Sequence, residues 1–354
     1  SMDTVISIFK NLTDEEIVIP SQGEQKNKGR KATFYSLNHE KKAYLGITFN
    51  HSGIFSSIVS FSNEIIEEHK TDIDLNCNKD EFMQSFKNNL NEILSKGEKY
   101  SGIVSAVGCS LPGEIDNRTG IMNTYPVMPT LGNLDFKGLI SSMFPEVPVK
   151  VDPKIKSMTS FLLQDHKLYS KYNKIMFINA RTNTNNGFIF NGDIFTGQGE
   201  FGHIKVSDED VMCSCGRKGC LNCYFSFSAF KELFNTYGNN KNNSIDSPEL
   251  LTQLSNLYES SEEVRFELDK RLYYFAHALV DIINVTVPEL IILSGELLKI
   301  FKNPAEKLLS ILFDKFIVDL NQQCVNLESL NIVYKDYGFE TAAFGICNEM
   351  IRND

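Results

Sequence analysis

The chain contains 354 residues with a formal net charge of −10 at pH 7; 42% of its residues are hydrophobic and 23% are charged. This composition excludes an intrinsically disordered protein, and the length is sufficient for two or more domains. No apolar run of about 18 residues predicts a transmembrane helix. The N-terminus also lacks the charged and then apolar pattern of a secretory signal, so we expect a cytoplasmic protein.

The beginning of the chain is basic although the chain as a whole is acidic. Residues 23–42 carry six lysines or arginines and two glutamates, a local excess of four positive charges. Apolar spacing predicts a short helix at 3–13, and short strands are expected at 16–19 and 32–37 on either side of a polar tip. A helix followed by a basic hairpin is typical of the second half of a winged helix; a solvated surface hairpin is the alternative.

The next part of the chain alternates between predicted strands and helices. Apolar segments at 43–49 and 55–61 are separated by Asn50-His51-Ser52-Gly53, which is a hairpin signal. Helices are expected at 79–96 and 157–170. Strands are expected at 103–111, 147–151, 174–179 and 187–190.

The C-terminal part repeats this pattern. Helices are expected at 226–234, after Ser247 and Pro248, and at 262–284 and 341–351, with strands at 290–293 and 330–334. Within the long helix, the apolar residues expected on one side are Phe266, Leu272, Phe275, Leu279 and Ile283. Strands followed by helices, twice over, predict a duplicated α/β architecture.

Four potential metal ligands lie close together in the sequence: His203, Cys213, Cys215 and Cys220. Structural Zn²⁺ sites use four ligands of this kind, so we predict a structural zinc site. Disulfide pairing is the alternative, but a bond between Cys213 and Cys215 would close a strained ring. Cys223 belongs to the same cluster, whereas the other cysteines are scattered, which is typical of a reducing compartment.

Several motifs point to one family. They are Gly199-Glu200-Phe201-Gly202-His203, the zinc segment from Cys213 to Cys220, the segment 108–120 with its central Pro112-Gly113, and the segment 288–295. From about Tyr35 to the C-terminus the chain resembles the ROK family (repressors, open reading frames and sugar kinases). The resemblance implies an actin-like, ribonuclease H-like sugar kinase fold, an α/β fold of two domains with a cleft between them. It also implies a homodimer or a dimer of dimers.

The resemblance further implies how the chain is divided. A partial winged helix would occupy residues 1–38. A first actin-like domain would occupy 39–150 together with 338–354, and a second one, containing the zinc site, would occupy 151–337.

Three motifs that a ROK kinase needs are altered in this sequence. The early G-x-D-x-G-G-T turn, which approaches phosphate and helps to place Mg²⁺, is residues 46–52 with Thr48 at the aspartate position. The G-T-G-x-G-x-G phosphate loop begins with Arg181 and keeps one glycine. The aspartate base is Lys154 by register, and an ammonium group cannot accept a proton at neutral pH. Asp152, two residues earlier, is the alternative base; otherwise we expect kinase activity to be lost.

Sugar contacts follow from the same resemblance. It assigns them to Glu200 and to His203, whose other ring nitrogen would bind zinc. Asn222 stands where the family has a glutamate, and it can bond a hydroxyl without charge assistance. Lys154 and Lys156 would make the pocket more positive, which favours a phosphorylated or acidic sugar; the alternative is that both lysines are solvated or paired with Asp152.

The N-terminal segments resemble parts of a ROK repressor head. Residues 4–12 resemble the end of its recognition helix, and residues 29–37 resemble its wing, so Lys28, Arg30 and Lys31 are expected to contact DNA. The prediction is a sugar-responsive transcriptional repressor that binds a DNA operator and takes a sugar or sugar-phosphate effector in the interdomain cleft. The alternatives are an ATP-dependent hexose or N-acetylhexosamine kinase with an unusual site, and an interaction protein that binds neither sugar nor DNA.

Overall fold

The computed structural model describes residues 2–21, 34–74, 76–195, 200–238, 247–320 and 330–354. The chain divides into two compact units. The first comprises Ser1–Gln164 with Phe339–Asp354, and the second comprises Asp165–Gly338.

The secondary structure up to residue 164 follows in chain order. Its elements are α1 (Met2–Asp14), β1 (Val18–Ser21), β2 (Phe34–Leu37), β3 (Ala43–Asn50), β4 (Gly53–Ser60), β5 (Ile65–Thr71), α2 (Lys79–Lys96), α3 (Glu98–Ser101), β6 (Val104–Leu111), β7 (Glu114–Asp116), β8 (Ile121–Thr124), β9 (Leu134–Asp135), α4 (Phe136–Met143), β10 (Val149–Pro153) and α5 (Lys154–Phe161).

The remaining elements are α6 (His166–Lys171), β11 (Lys174–Ala180), β12 (Thr184–Phe190), β13 (Asp193–Ile194), α7 (Phe227–Tyr237), α8 (Ser247–Ser260), α9 (Glu262–Thr286), β14 (Leu290–Ser294), α10 (Pro304–Lys315), β15 (Asn331–Tyr334) and α11 (Thr341–Arg352). Short 3₁₀ turns at Phe201–His203 and Leu221–Cys223 carry the residues of the predicted metal and sugar site.

The two main sheets of the described chain have the same pairing pattern. In the first unit the order is β5-β4-β3-β6-β10, and in the second it is β13-β12-β11-β14-β15. In each sheet the first two pairings are antiparallel and the last two are parallel. The predicted duplicated α/β architecture is therefore confirmed.

In the first unit, the central strand β3 is covered on both faces. Leu45, Ile47 and Phe49 join a core with aromatic residues of α2, whereas Tyr44 packs with α11. Gly46 lets the backbone of α11 approach closely, because a Cβ there would lie 2.1 Å from the carbonyl oxygen of Ala343. Because β10 pairs with β6 and α5 packs on α11, residues 151–161 lie in the first unit, although the sequence analysis assigned them to the second domain.

The N-terminal helix and hairpin pack on each other. The rings of Phe9 on α1 and Tyr35 on β2 are 4.9 Å apart, and the Asn38 side chain donates to the carbonyl oxygen of Glu16. Strands β1 and β2 are antiparallel, as the sequence predicts. The tip of the hairpin, with the predicted DNA contacts Lys28, Arg30 and Lys31, lies outside the described residues.

Two helix predictions need correction. The helix expected at 157–170 begins at Lys154, gives way to a 3₁₀ turn after Phe161, and restarts as α6 behind Asp165, which caps it. In α9 the side chain of Phe266 is 69% exposed. Val264 and Leu268 are buried in its place, because a residue six positions before Leu272 falls on another face of a helix. Among the described helices, none is long and apolar enough to cross a bilayer.

Candidate metal centre and sugar site

The four predicted metal ligands lie together in the second unit. The ligand atoms of His203, Cys213, Cys215 and Cys220 are all within 4.8 Å of one another. The Cys213 sulfur is 3.4 Å from His203 Nδ1, and the sulfurs of Cys215 and Cys220 are 3.7 Å apart. Two sulfur ligands of a tetrahedral Zn²⁺ ion are separated by about 3.7–3.8 Å, given Zn–S bonds of about 2.3 Å. The residues therefore fit a tetrahedral metal ion.

The loop reaches this geometry through two glycines with positive φ. Gly216 (φ +83°) turns the chain after Cys215, and Cys213 is tied across the turn by its backbone N–H to the carbonyl of Arg217. Gly219 (φ +71°) brings the chain against Ser207, whose carbonyl oxygen would lie 1.9 Å from a Cβ at that position. Close packing thus fixes where Cys220 enters the cluster.

The thiols of the cluster differ in how readily they ionise. A hydrogen bond from the backbone of Arg217 lowers the pKa of Cys215 to about 7. Burial raises the pKa of Cys220 to about 12, and the neighbouring thiols add to this. A metal ion that binds here must displace the proton of Cys220, whereas Cys215 gives up its proton near neutral pH.

The predicted sugar contacts on this unit also come together. Glu200 is exposed, and its Oε2 lies 3.7 Å from His203 Nε2, so the two ring nitrogens of His203 face different groups. Asn222 packs against Gly202 and accepts a hydrogen bond of 2.9 Å from the backbone N–H of Thr184 through its Oδ1. Asn222 therefore holds the Gly202 turn, and its amide N–H groups are the part left for a ligand.

Asn186 is a supporting residue that the sequence analysis did not single out. It is buried on β12, and its Oδ1 accepts from the backbone N–H of Phe201 at 3.1 Å, which anchors the turn between Glu200 and His203. In the sequence it is the last of three polar residues that begin β12 ahead of its apolar end, so nothing local marks it out.

The lysines after β10 are engaged by groups of the first unit. Lys154, at the position of the kinase base, donates to the carbonyl oxygen of Phe49 and lies over the ring of Phe339. Lys156 lies 3.0 Å from Asp152 Oδ1 and 2.8 Å from Glu349 Oε1. The pairing with Asp152 is therefore observed for Lys156, whereas the contacts described for Lys154 are with Phe49 and Phe339.

Glu349, on α11, was not found from sequence because it is nearly two hundred residues away from its partners along the chain. Lys150 contacts it as well and lies 3.4 Å from Asp152 Oδ2. Burial and the charge of Glu349 raise the pKa of Asp152 above its ordinary value, against the pull of the lysines. Asp152 is thus one member of a balanced ionic cluster of two carboxylates and two ammonium groups.

The side chains at the positions that approach phosphate in a ROK kinase make hydrogen bonds and ion pairs within their own unit. Thr48 is fully buried, and its hydroxyl donates to the carbonyl oxygen of Ser110. In the turn that follows, Asn50 Oδ1 accepts from both the backbone N–H and the hydroxyl of Ser52. Arg181 donates to the carbonyl oxygen of Tyr337 and forms an ion pair with Glu296.

Comparison with known proteins identifies the family. The ROK family model matches residues 44–337. The chain therefore belongs to the ROK family, and its fold is the actin-like α/β fold of sugar kinases and ROK regulators.

Both regulators and kinases are among its relatives. The xylose repressor of Caldicellulosiruptor bescii is 21% identical over 306 residues, which cover 81% of this chain and 75% of the repressor. The N-acetyl-D-glucosamine kinase of Escherichia coli O127:H6 is 23% identical over 220 residues, 58% of this chain and 70% of the kinase. A solved ROK family transcriptional regulator, a homologue of the E. coli MLC protein, superposes with a TM-score of 0.73 at 16% identity, covering 99% of this chain and 89% of its own.

Proposed function

We propose that this protein is a sugar-responsive transcriptional repressor in which kinase activity has been lost. The observation that carries the proposal is the state of Lys154. It replaces the base, and its ammonium group donates to a main-chain carbonyl of the same unit. A group that is positively charged and already donating cannot remove a proton from a sugar hydroxyl.

The phosphate side supports the same conclusion. Glycines at a phosphate loop leave backbone N–H groups accessible to the anion. Here Arg181 stands at the start of that loop, and its guanidinium contacts Glu296 and the carbonyl oxygen of Tyr337. Its positive charge is therefore already paired within the protein.

The effector that fits the remaining groups is a neutral sugar. Lys156 is balanced by carboxylates, whereas Lys154 keeps its positive charge but directs its ammonium group to a carbonyl oxygen and an aromatic ring. In the second unit, Glu200, His203 and the Asn222 amide are suited to hydroxyl groups. The neutral sugar is favoured over the sugar phosphate for this reason.

A zinc ion at the Cys/His cluster would have a structural role. Four protein ligands close a tetrahedral site, which leaves no position for a substrate. The ion would hold the loop that carries His203 and would fix which ring nitrogen faces Glu200.

Sugar binding and catalysis can be separated in one set of measurements. Isothermal titration with pentoses, hexoses and N-acetylhexosamines, each also as its phosphate, is expected to reveal saturable binding of a neutral sugar. Glu200→Ala should abolish the heat, whereas Glu232→Ala, which removes an exposed carboxylate from α7, should leave it unchanged. Stronger binding of the phosphates would contradict the neutral-sugar assignment, and no binding at all would favour the interaction protein.

A sugar kinase is the second candidate, because the E. coli kinase relative covers more than half of this chain. It requires Asp152 to act as the base. The same sugars are therefore assayed with ATP and Mg²⁺, and no nucleotide turnover is expected. Robust turnover that Asp152→Asn abolishes would replace the repressor proposal with the kinase.

A further inference from the structure

A fifth thiol lies beside the proposed metal ligands. Cys223 ends the 3₁₀ turn that begins directly after Cys220, and its side chain is half-buried. Its sulfur approaches the carbonyl oxygen of Val211 at 3.7 Å, two residues before Cys213. Burial first, and then the charge and hydrogen bonding of Cys213, raise the pKa of the Cys223 thiol to about 11. Cys223 thus lies next to the four-ligand group rather than inside it.

The spacing of the thiols forms a second complete ligand set. One residue separates Cys213 from Cys215, and two residues separate Cys220 from Cys223. Four cysteine thiolates form a structural zinc set, as do three cysteines and a histidine. The three thiols of Cys213, Cys215 and Cys220 belong to both sets, so the sets differ only in whether His203 or Cys223 is the fourth ligand.

Of the four proposed metal ligands, His203 is the one that the proposed function also assigns to sugar binding. Its Nδ1 faces Cys213 while its Nε2 faces Glu200, which the proposed function assigns to the sugar. Rotation of the His203 side chain toward a ligand would take the imidazole from the metal. Cys223 is on the turn that follows Cys220, and that turn is held to the His203 turn by the hydrogen bond from the backbone N–H of Leu221 to the carbonyl oxygen of Ile204. Cys223 therefore stays beside the cluster when the imidazole alone rotates.

We propose that Cys223 is a reserve metal ligand that replaces His203 when the imidazole leaves the ion. The metal–nitrogen bond breaks, a metal–sulfur bond forms, and the thiol proton of Cys223 passes to solvent. No oxidation state changes. This inference rests on the metal site of the proposed function and adds to it a way for the His203 imidazole to leave the ion while the loop keeps it.

Metal loading of the purified full chain tests this proposal. Wild type, His203→Ala, Cys223→Ser and the double variant are loaded with Co²⁺, and then with Zn²⁺ in competition with a chelator. The sulfur-to-cobalt charge-transfer absorption reports the number of thiolate ligands. Cys77→Ser, combined with His203→Ala, is the control for loss of a thiol elsewhere.

Wild type and Cys223→Ser are expected to bind one ion with a three-thiolate spectrum. His203→Ala should keep one ion and gain the four-thiolate spectrum, and the Cys77 control should match it. The double variant should lose affinity by at least the roughly 10- to 100-fold that follows loss of outer-shell partners. Circular dichroism of each variant verifies that it is folded.

Two outcomes overturn the proposal in different ways. If His203→Ala loses the metal as fully as the double variant, or keeps a three-thiolate spectrum, Cys223 is not a ligand and the metal site itself stands. If the wild-type chain binds neither ion, the metal site of the proposed function is wrong as well.

Discussion

Arg181, directly after β11, and Glu296, directly after the turn that ends β14, form an ion pair with an N–O distance of 3.7 Å. Both side chains are about four-fifths covered, and Arg181 also donates to the carbonyl oxygen of Tyr337. Removing the guanidinium leaves an acceptor and a carboxylate without this partner. We expect Arg181→Met to lower the free energy of unfolding by about 1–3 kcal/mol, measured from urea or thermal transitions.

An exposed arginine provides the comparison for this prediction. Arg118 is 92% exposed and pairs with Asp116 at 3.8 Å. Arg118→Met should leave the transition nearly unchanged, because exposed ion pairs contribute little. Equal effects of the two substitutions would show that the contacts of Arg181 do not hold the turn after β14 in place.

The stability that the ionic cluster gives to the first unit should depend on pH through the ionisation of Glu349. Burial alone would raise the pKa of Glu349, but hydrogen bonds and charges from Lys150 and Lys156 outweigh it and hold the pKa below the ordinary value of 4.5. A lowered carboxyl pKa contributes stability above the unfolded value, and this stability is lost as the pH falls through the folded value. Glu349→Gln should therefore cost about 2 kcal/mol at pH 7. Its difference from wild type should shrink below about pH 4.5.

Asp152, in the same cluster, should show the opposite dependence of stability on pH. Its pKa is raised by burial and by Glu349, so its ionised form is disfavoured in the folded protein. The contribution of Asp152 to stability therefore falls as the pH rises through its unfolded value. Asp152→Asn should cost less stability at pH 7 than Glu349→Gln does. A larger cost for Asp152→Asn, from thermal transitions between pH 3 and pH 7, would contradict this account.

Two glycines of the metal loop should respond differently to the same substitution. Gly219 and Gly216 both have positive φ, but a Cβ at Gly219 would collide with the carbonyl of Ser207 while a Cβ at Gly216 meets open space. Gly216→Ala should cost only the conformational strain, about 1–2 kcal/mol. Gly219→Ala should displace Cys220 and reduce the bound zinc, measured by atomic absorption after dialysis. Equal zinc content in the two variants would contradict this description of the loop.

Local patterns predicted most of the described elements, and contacts between distant residues explain what was missed. The helix at 79–96 was predicted with its observed ends from its periodicity, and in the structure Asn78 and Glu81 form a capping box at its start. The metal ligands were predicted because all four lie in one short segment. The return of α11 to the first unit was expected, but the contact of Glu349 with Lys156 could not be predicted, because residues 151–161 had been assigned to the second domain.

The resemblance located Lys154 and Lys156, but their partners depended on geometry. Both occupy the first turn of α5, yet one ammonium group points to a carbonyl of β3 and the other to Asp152 and Glu349. A helix places residues two positions apart on different faces, so the two lysines do not share one environment. The sequence analysis had treated them as a pair. The two lysines therefore give less support to a phosphorylated effector than the sequence analysis expected.

The proposed DNA contacts predict a specific dependence on salt. Each phosphate neutralised by a lysine or arginine contributes about −0.9 to the slope of log K against log salt concentration. Replacing Lys28, Arg30 and Lys31 together by alanine should therefore make the slope less negative by about 3, measured by fluorescence anisotropy with an A·T-rich duplex. The control replaces the exposed lysines Lys167, Lys171 and Lys335, which changes the net charge equally but should leave the slope unaltered. Equal slopes for both triple variants would show that these three residues do not contact DNA. Absence of binding by the wild-type chain would contradict DNA as a partner.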